Sequence, residues 1–286
     1  MRWLEVLDPG PLSTCQDAGR PGLAHLGVPR SGALDVPAYA LANRLVGNAP
    51  GAAVIETTFG GLRLRASAAT TVAVTGALAD VAVGGRAQAW GQALAVAAGE
   101  VVEVAAPVAG VRSYLAAAGG IAVRPVLGSR SHDLLGGIGP PPLRAGDRLA
   151  LGEPPGQPVG VDVVLSRTPP DPLPLRFCWG PRHDWFATAA RDAFIDATFT
   201  VSPQSNRVAV RLSGPVVRPT GERELPSEGL VLGAVQVPPD GQPLVFLADH
   251  PTTGGYPVIG VVVDDDLAGC AQLAPGDRVV FRPAPA

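Results

Sequence analysis

Glycine and proline recur along the whole chain, and their spacing limits the folds open to it more than any other feature. Of the 286 residues, 36 are glycine and 31 are proline. Both residues favour turns and disfavour the interior of helices. Between them lie short runs rich in valine, leucine and isoleucine, at the density typical of buried strands. The pattern predicts a mainly β fold in which many short strands are joined by tight turns.

Most apolar runs predict strands, and two segments predict short helices. The clearer helix spans Val36–Val46, with Asp35 as its N-cap and Pro37 in its first turn. A second helix is predicted over Trp185–Ala197, capped by Asp184. The predicted strands are Thr71–Thr75, Glu100–Val104, Val111–Ala116, Val161–Leu165, Val208–Leu212, Leu230–Val237, Leu244–Ala248 and Val258–Val263.

Two similar segments indicate an internal duplication. Residues 143–151 read Leu-Arg-Ala-Gly-Asp-Arg-Leu-Ala-Leu, and residues 273–281 read Leu-Ala-Pro-Gly-Asp-Arg-Val-Val-Phe. A double glycine precedes each segment by a similar interval. We interpret them as two related β subdomains that each close with the same hairpin, the alternative being chance recurrence of a common turn. A proline-rich run from Glu153 marks the junction and predicts subdomains at 1–158 and 159–286.

The basic residues exclude several kinds of chemistry. All 22 lysine-or-arginine positions are arginine, and the net charge is −3. Without lysine the chain forms no Schiff base, has no phosphate-loop lysine and carries no attached biotin. A Walker-type ATP site would then belong to another chain. Because no basic block stands out, nucleic acid and anionic membranes are not expected as partners.

Cysteine, histidine and the first residues indicate the cellular compartment. The three cysteines lie far apart, and the four histidines lack metal-ligand spacing. This usage predicts a reducing compartment and no metal site. The N-terminal residues lack the apolar core of a signal peptide, and no apolar run approaches the length of a membrane span. We therefore expect a cytoplasmic protein.

Residues 16–35 place functional side chains among four glycines and two prolines. The candidates are Gln16, Asp17, Arg20, Ser31 and Asp35. A loop of this composition holds a set shape and lets a ligand approach the main chain, which predicts a binding site with Asp17 as a candidate catalyst. The alternatives are a solvated connector, and a purely structural capping role for Asp35.

A second candidate segment leaves the end of a predicted strand. Asp249 is a candidate base. Thr252, Thr253 and the amides of the two glycines that follow form a candidate cradle for an anion or oxyanion, and Tyr256 comes next. The alternative is a turn stabilised by hydroxyl groups.

Four further residues are candidates for contacts with a substrate. Arg130 and Arg207 lie among serine, asparagine and glutamine, and the planar guanidinium suits a carboxylate or phosphate. Pairing with a structural carboxylate is the alternative. Glu228, a further candidate catalyst, and Gln236 suit an amide substrate, or else join the two subdomains.

Taken together, these segments resemble one family. It comprises KipA, the C subunit of bacterial ATP-dependent 5-oxoprolinase, and the matching half of the carboxyltransferase region of urea carboxylase, the relatives of allophanate hydrolase subunit 2. The resemblance runs over nearly the whole chain. It rests on Gln16–Arg20, Gly27–Pro29, Ser31–Ala33, Asp35, Ala42–Asn43, Val46–Asn48, Glu56–Thr57, Gly128–Arg130, Ser227–Gly229, Gln236–Pro238 and Thr252–Pro257.

The resemblance implies two cyclophilin-like β-barrel subdomains and a partner of the KipI type. Three positions depart from the family pattern. Asn206 stands where relatives commonly have aspartate, Val258 where they often have lysine, and Gly61 where proline is usual. The first departure removes a carboxylate and the second removes a cation.

Three functions fit this resemblance. The first is a component of a 5-oxoprolinase that opens 5-oxo-L-proline to L-glutamate with a KipI-like B subunit and a third subunit, using ATP shared with or bound by those partners. The three predicted arginines would hold carboxylate or phosphate, and the three predicted carboxylates would transfer protons. The second is the carboxyltransferase component of a biotin-dependent urea or amide carboxylase. The third is a non-catalytic protein that binds and antagonises a KipI-like inhibitor.

Overall fold

The structure, a computed structural model, describes residues 2–154, 169–221 and 225–285. The chain divides into two compact units, both built mainly of β strands, which confirms the predicted fold class. Unit 1 comprises Met1–Arg20, Ser31–Asp133 and Gly137–Thr168, and unit 2 comprises Pro21–Arg30, Leu134–Gly136 and Pro169–Ala286. The predicted boundary at residue 158 and the predicted strand Val161–Leu165 lie outside the described residues.

Unit 1 contains a nine-stranded sheet that curls into a half-barrel. The order is β2-β3-β8-β4-β1-β9, with β5 also paired to β8, and with β6 and β7 paired to β5. The 17-residue β8 is central because it pairs with β3, β4 and β5 along different parts of its length. The strands are β1 (Trp3–Pro9), β2 (Leu12–Gln16), β3 (Val54–Thr58), β4 (Leu62–Ala66), β5 (Thr70–Val83), β6 (Arg86–Gln88), β7 (Leu94–Val96), β8 (Val101–Ala117) and β9 (Arg148–Ala150).

Helix α1 (Val36–Leu45) confirms the first predicted helix and its cap. The Asp35 Oδ1 atom accepts a hydrogen bond from the Ala38 amide at 3.0 Å. Such a cap satisfies one of the backbone donors that a helix N-terminus leaves unpaired. The helix ends one residue earlier than predicted, with Val46 as its C-cap. Its buried face packs against apolar residues of β3, β5 and β8.

Unit 2 contains a closed seven-stranded barrel, as predicted, and a separate two-stranded ladder. The barrel order is β10-β17-β14-β15-β12-β11-β18, and a parallel β10–β18 pair closes it. Phenylalanine rings fill its core, and those of Phe194 and Phe281 stack 4.3 Å apart. The strands are β10 (Leu173–Trp179), β11 (Thr198–Val201), β12 (Ala209–Ser213), β13 (Glu228–Gly229), β14 (Ala234–Gln236), β15 (Leu244–Phe246), β16 (Thr253–Gly254), β17 (Val258–Val262) and β18 (Arg278–Pro283). The helices are α2 (Thr188–Asp196) and α3 (Asp264–Cys270), and short 3-10 turns span Ala24–Leu26 and His183–Trp185.

The second predicted helix was wrong at its N-terminus. Asp184 lies inside the 3-10 turn, and no side chain caps α2. Phe186 and Ala187 are extended between the two elements, and this break lets the Phe186 ring enter the core. Burial of a large aromatic ring outweighs the modest stabilisation that an aspartate cap gives a surface helix.

The predicted strand Leu230–Val237 was too long. Of Leu230–Val237, only Ala234–Gln236 forms a strand. A turn precedes it, closed by a hydrogen bond from the Ala234 amide to the Val231 carbonyl at 3.1 Å. Gly233 in this turn has a φ of +80°, which glycine adopts without strain. The apolar run therefore contains a bend that its hydropathy does not predict.

The two similar segments adopt the same local structure. The Asp147 carboxylate accepts from the Arg144 amide, and the Asp277 carboxylate accepts from the Ala274 amide, each at 2.7 Å. Each turn leads into a strand, β9 or β18, that pairs antiparallel with a strand from earlier in its own unit. The predicted hairpins were wrong, because the pairing strand is not the preceding one in the sequence. The matched turns support the duplication.

All three cysteines are free thiols. Cys15 is buried in the core of unit 1, and burial raises the pKa of its thiol to about 12. Cys270 is buried as well, and Cys178 is exposed. In the described part of the chain, no helix combines the length and the apolar character that crossing a membrane requires.

Candidate functional site

Asp17 is the centre of a buried hydrogen-bond network in unit 1. Its Oδ1 atom accepts from Ser129 Oγ at 2.6 Å, from Ser131 Oγ at 2.7 Å and from the Gly19 amide at 2.8 Å. Its Oδ2 atom accepts from the Arg130 amide at 2.6 Å. Three donors thus reach Oδ1 and one reaches Oδ2, so both carboxylate oxygens are hydrogen-bonded. Asp17 therefore fixes residues 129–131 against the 16–20 segment, and its catalytic role stays a prediction.

Two residues bring the far end of the predicted loop against Asp17. The Ala33 amide donates to the Asp17 carbonyl at 3.0 Å. Gly32 has a φ of +99°, and a Cβ atom there would lie 3.0 Å from the Gly19 nitrogen. Only glycine fits such a close approach of two backbones. Ser31 also adopts a left-handed φ of +55°, and its hydroxyl donates to the His132 carbonyl at 2.9 Å.

The other polar residues of the 16–20 segment are buried within unit 1. The Gln16 amide group donates to Thr14 Oγ1 and to the His132 carbonyl, both at 3.0 Å. Arg20 donates from Nη2 to the Ser131 carbonyl and is 3 % exposed. Both side chains thus join the same two segments that Asp17 joins.

Arg130 is the predicted arginine that is best placed to meet a ligand. Its side chain is half-buried, and its Nε atom donates to the Val123 carbonyl at 2.8 Å. It forms no ion pair with any described residue. The neighbouring serines are held by Asp17, so the backbone that carries this guanidinium is fixed.

Unit 1 also contains a buried charged pair that we did not predict as part of a site. Glu56 on β3 and Arg112 on β8 approach to 3.8 Å, with both side chains almost fully buried. Tyr114 lies beside them, and its complete burial raises the pKa of its hydroxyl well above the usual value. A glutamate and an arginine next to apolar residues in the sequence were the available signal, because charges are rarely buried unless they are paired.

In unit 2, two predicted residues bind each other. Arg207 Nε and Asp249 Oδ2 are 2.8 Å apart, Nη2 and Oδ1 are 3.1 Å apart, and both side chains are about 1 % exposed or less. The Leu134 amide also donates to Asp249 Oδ2 at 2.9 Å. This is the structural pairing that was the alternative for Arg207. Substrate binding by Arg207 and catalysis by Asp249 stay predictions.

Asn206, which stands where relatives commonly have aspartate, keeps one hydrogen-bond acceptor. Asn206 Oδ1 accepts from the Val208 amide at 2.8 Å, which is the turn contact that an aspartate would make. The loss of a carboxylate at this position therefore leaves the local turn intact.

The remaining candidates of unit 2 are brought together by its two-stranded ladder. Strand β13 carries Glu228 and pairs with β16, which carries Thr253. The Leu230 amide extends this ladder by donating to the Thr252 carbonyl at 2.9 Å. Gln236 on the barrel donates from Nε2 to the Tyr256 carbonyl at 3.0 Å. The structure therefore places five sequence-predicted residues in one part of this unit.

Arg182 is an unpredicted member of this group. Its guanidinium forms a two-point contact with the Glu228 carboxylate, in which Nε and Oε2 are 3.2 Å apart. It also lies over the Trp185 ring, 5.6 Å from the centroid. The hydrogen bonds from Arg182 lower the pKa of Glu228 below its usual value. Glu228 is therefore a carboxylate at neutral pH, which suits it to orient water or a donor group rather than to act as an acid.

We expect this ion pair to be measurable in a pH titration. Because its folded pKa is depressed, Glu228 stabilises the fold fully above its unfolded pKa of about 4.3, and this contribution disappears as the pH falls through the lower folded value. In Arg182→Gln the Glu228 pKa should rise towards the ordinary value of a glutamate, as measured by carboxyl-carbon NMR. Glu100, whose pKa is lowered chiefly by the Ala97 amide and also by Arg86, is the internal control and should not shift. An unchanged Glu228 pKa in the variant would show that Arg182 is not its partner in solution.

Two motifs of the family resemblance serve the fold instead of a site. Asn48 donates from Nδ2 to Asn43 Oδ1 and to the Ala117 carbonyl, and its Oδ1 accepts from the Gly119 amide. Asn43 donates to the Ala52 carbonyl at 2.9 Å. These amides join the end of α1 to the sheet.

A cavity of about 520 Å³ opens in unit 1 between β4, β5, β6 and β8. Arg63, Asp80 and Glu103 are its charged lining residues, and none of the sequence-predicted residues lines it. Within residues 2–154, 169–221 and 225–285, no three histidine, cysteine, aspartate or glutamate side chains cluster as metal ligands.

Comparison with known proteins places the chain in a family. A model of the carboxyltransferase domain, subdomains A and B, matches residues 26–283. The C subunit of 5-oxoprolinase from Escherichia coli is 39% identical, over 97% of this chain and 90% of that protein. The predicted family resemblance is confirmed.

Two solved structures share the fold along the whole chain. The crystal structure of TTHA0988 is 40% identical with a TM-score of 0.88, and the match covers 99% of this chain but only 55% of that one. The Kluyveromyces lactis urea amidolyase is 29% identical with a TM-score of 0.91, and the match covers 99% of this chain and 19% of that one. The same fold therefore also occurs as part of much longer polypeptides.

Proposed function

This chain belongs to the family of carboxyltransferase domains with subdomains A and B, and we propose that it is the C subunit of an ATP-dependent 5-oxoprolinase. The observation that carries the proposal is the match to the Escherichia coli C subunit, which spans 90% of that protein's length at 39% identity. In the urea amidolyase the corresponding region is about a fifth of the polypeptide. The match to the Escherichia coli C subunit instead covers most of that relative.

The reaction requires activation of an unreactive lactam. The amide carbonyl of 5-oxo-L-proline is a poor electrophile, and transfer of the ATP γ-phosphoryl group to its oxygen would make the carbon reactive. That transfer releases ADP. Addition of one water and cleavage of the ring C–N bond would then leave γ-glutamyl phosphate, and a second water would hydrolyse this acyl phosphate to L-glutamate and phosphate. A protein that catalyses these steps needs groups that bind anions and a carboxylate that orients water.

Accessibility separates the predicted residues. Asp17 and Asp249 are buried by their own partners, whereas the Glu228 side chain is about one-third exposed. We therefore assign the orientation of water to Glu228 and an organising role to Asp17. Arg130, whose guanidinium is partly exposed on a fixed backbone, would bind the carboxylate of the substrate or the transferred phosphoryl group.

The nucleotide would be held mainly by companion subunits. The chain has no lysine, so a Walker-type phosphate loop is not available on it. A KipI-like B subunit and a third subunit are the companions that we propose. Residues 129–131 are ordered around Asp17. They would therefore give the companion subunits a rigid surface on which to complete the site.

A biotin-dependent carboxyltransferase is the second candidate. The observation that favours it is the TM-score of 0.91 with the urea amidolyase, which is the higher of the two structural matches reported above. Biotin would arrive on a separate carrier, because this chain has no lysine to which biotin is attached.

A reconstitution separates these functions. The chain is purified alone and with its two companion subunits, and each sample receives either 5-oxoproline with ATP or urea with carboxybiotin. We expect glutamate and ADP from the first pair of substrates, and only in the complete mixture. Carboxylation of urea would establish the second candidate instead. Stable association with the KipI-like protein and no turnover of either substrate would identify a non-catalytic antagonist.

A further inference from the structure

Four buried polar side chains form a row across the sheet of unit 1. Thr14, Glu56, Tyr114 and Thr75 lie on β2, β3, β8 and β5, and each is the direct cross-strand partner of the next. Directly opposed residues project from the same face of a sheet. All four are at most 1 % exposed. We call these four residues the polar row.

The polar row contacts the candidate loop, residues 16–35, and the first turn of α1. Successive members of the row contact successive positions along this part of the chain. Thr14 Oγ1 accepts from the Gln16 side chain at 3.0 Å, and Glu56 Oε2 accepts from the Leu34 amide at 3.2 Å. The next two contacts follow along the chain. The Tyr114 hydroxyl accepts from the Asp35 amide at 2.8 Å, and Thr75 Oγ1 donates to the Ala38 carbonyl at 2.7 Å.

Packing alone does not account for the polarity of this row. On β3, β8 and β5, the residue two positions from each member of the row, towards α1, is apolar. These residues are Val54, Ala116 and Ala73, and they pack against α1. Apolar residues would be buried at lower cost than a carboxylate, a phenol and two hydroxyls, unless each polar group has a partner to hold. Glu56 also pairs with Arg112, and the other partners described above are backbone groups of one segment, Leu34–Ala38, and the Gln16 side chain.

We propose that Glu56 and Tyr114 are positioning residues that fix the Ser31–Asp35 backbone for the reaction. By accepting the Leu34 and Asp35 amides, they hold this segment from the sheet side. The Asp17 carbonyl also holds this segment, because it accepts a hydrogen bond from the Ala33 amide. The segment includes Ser31 in a left-handed conformation, which persists only where its surroundings determine it.

This inference rests on the proposed function for its effect on catalysis, but not for its structural effect. In Tyr114→Phe the Asp35 amide loses its acceptor, and its hydrogen exchange should become about five to ten times faster, the factor that one hydrogen bond is worth. In the assembled enzyme kcat should fall by about 100-fold, the scale expected when a substrate-binding group is misplaced, because the Ser31–Asp35 segment is bound to Asp17, which fixes the Arg130 backbone. The KM for 5-oxoproline should change less than kcat does.

Tyr39→Phe is the matched control. Tyr39 is also buried, and its hydroxyl also makes one backbone hydrogen bond, to the Ala52 carbonyl at 3.0 Å, but it lies on α1 outside the loop. Tyr39→Phe should lose less stability than Tyr114→Phe, because the Ala52 carbonyl keeps the Asn43 side-chain amide as a donor, and it should keep both kcat and the Asp35 exchange rate. A second comparison uses Glu56→Gln, which retains an oxygen acceptor for Leu34, against Glu56→Leu, which does not; the first should keep more of the turnover.

The result that overturns the proposal is a Tyr114→Phe variant that matches Tyr39→Phe in both Asp35 exchange and kcat. If the wild-type mixture releases no glutamate, the proposed function fails while the exchange rates still decide the positioning role. Faster exchange at Asp35 in Tyr114→Phe than in Tyr39→Phe supports that role, and equal exchange overturns it.

Discussion

Asp249→Ala should destabilise the protein by about 3–5 kcal/mol, the range measured when one partner of a buried ion pair is removed. The Arg207 guanidinium, 1 % exposed, would keep its charge and lose the two-point contact at 2.8 and 3.1 Å. The Leu134 amide would lose its acceptor as well. Chemical denaturation followed by tryptophan fluorescence measures the effect, since two of the four tryptophans, Trp179 and Trp185, lie in unit 2.

Two variants test this explanation. Arg207→Met combined with Asp249→Leu removes both charges, so its loss of stability should be smaller than that of Asp249→Ala. Asp171→Ala breaks a pair of similar chemistry, with Arg278 at 2.9 Å, in which both side chains are more than half exposed. It should change stability little, because water solvates the remaining charge. Equal losses in the buried and the exposed pair would contradict the account.

Asp17→Asn should reduce turnover of the assembled enzyme by at least about 100-fold, on the scale expected when reacting groups are misplaced. The amide replaces one acceptor oxygen with an NH₂ group, and every group facing Asp17 is already a donor. A buried donor would then face another donor, and residues 129–131 would move away. The measurement is kcat in the complete mixture, with circular dichroism to verify the fold.

A control variant and two serine variants complete this test. Asp147→Asn changes an aspartate that accepts a backbone amide in a turn outside the candidate loop, and should keep full turnover. Ser129→Ala and Ser131→Ala should each lower turnover if Asp17 acts by holding this segment. Full turnover in both serine variants, with inactive Asp17→Asn, would assign Asp17 a direct chemical role instead.

Local features were predictable from the sequence. The Asp35 cap and the start of α1 depend on a few adjacent residues, so the pattern was sufficient. The matched Gly-Asp turns also depend on neighbours only. The N-terminus of α2 was missed because burial of Phe186, a tertiary contact, decides where that helix begins.

The candidate site was predictable as a set of segments but not as a set of contacts. Glu228 and Thr253 lie on opposite strands of a ladder whose strands are two residues long, too short to have a periodic signal. Arg182 pairs with Glu228 across 46 residues, and no local pattern reports such a pair. The polar row becomes visible only when the register of four strands is known.

The most direct test of the account is the dependence of glutamate release on this chain. Fixed amounts of the two companion subunits, with 5-oxoproline and ATP, are titrated with the purified chain. We predict no release without it, a rise that saturates as the complex fills, and one ADP formed for each glutamate. Release at the full rate in its absence, or saturation with no release at all, would contradict the assignment of this chain to a 5-oxoprolinase.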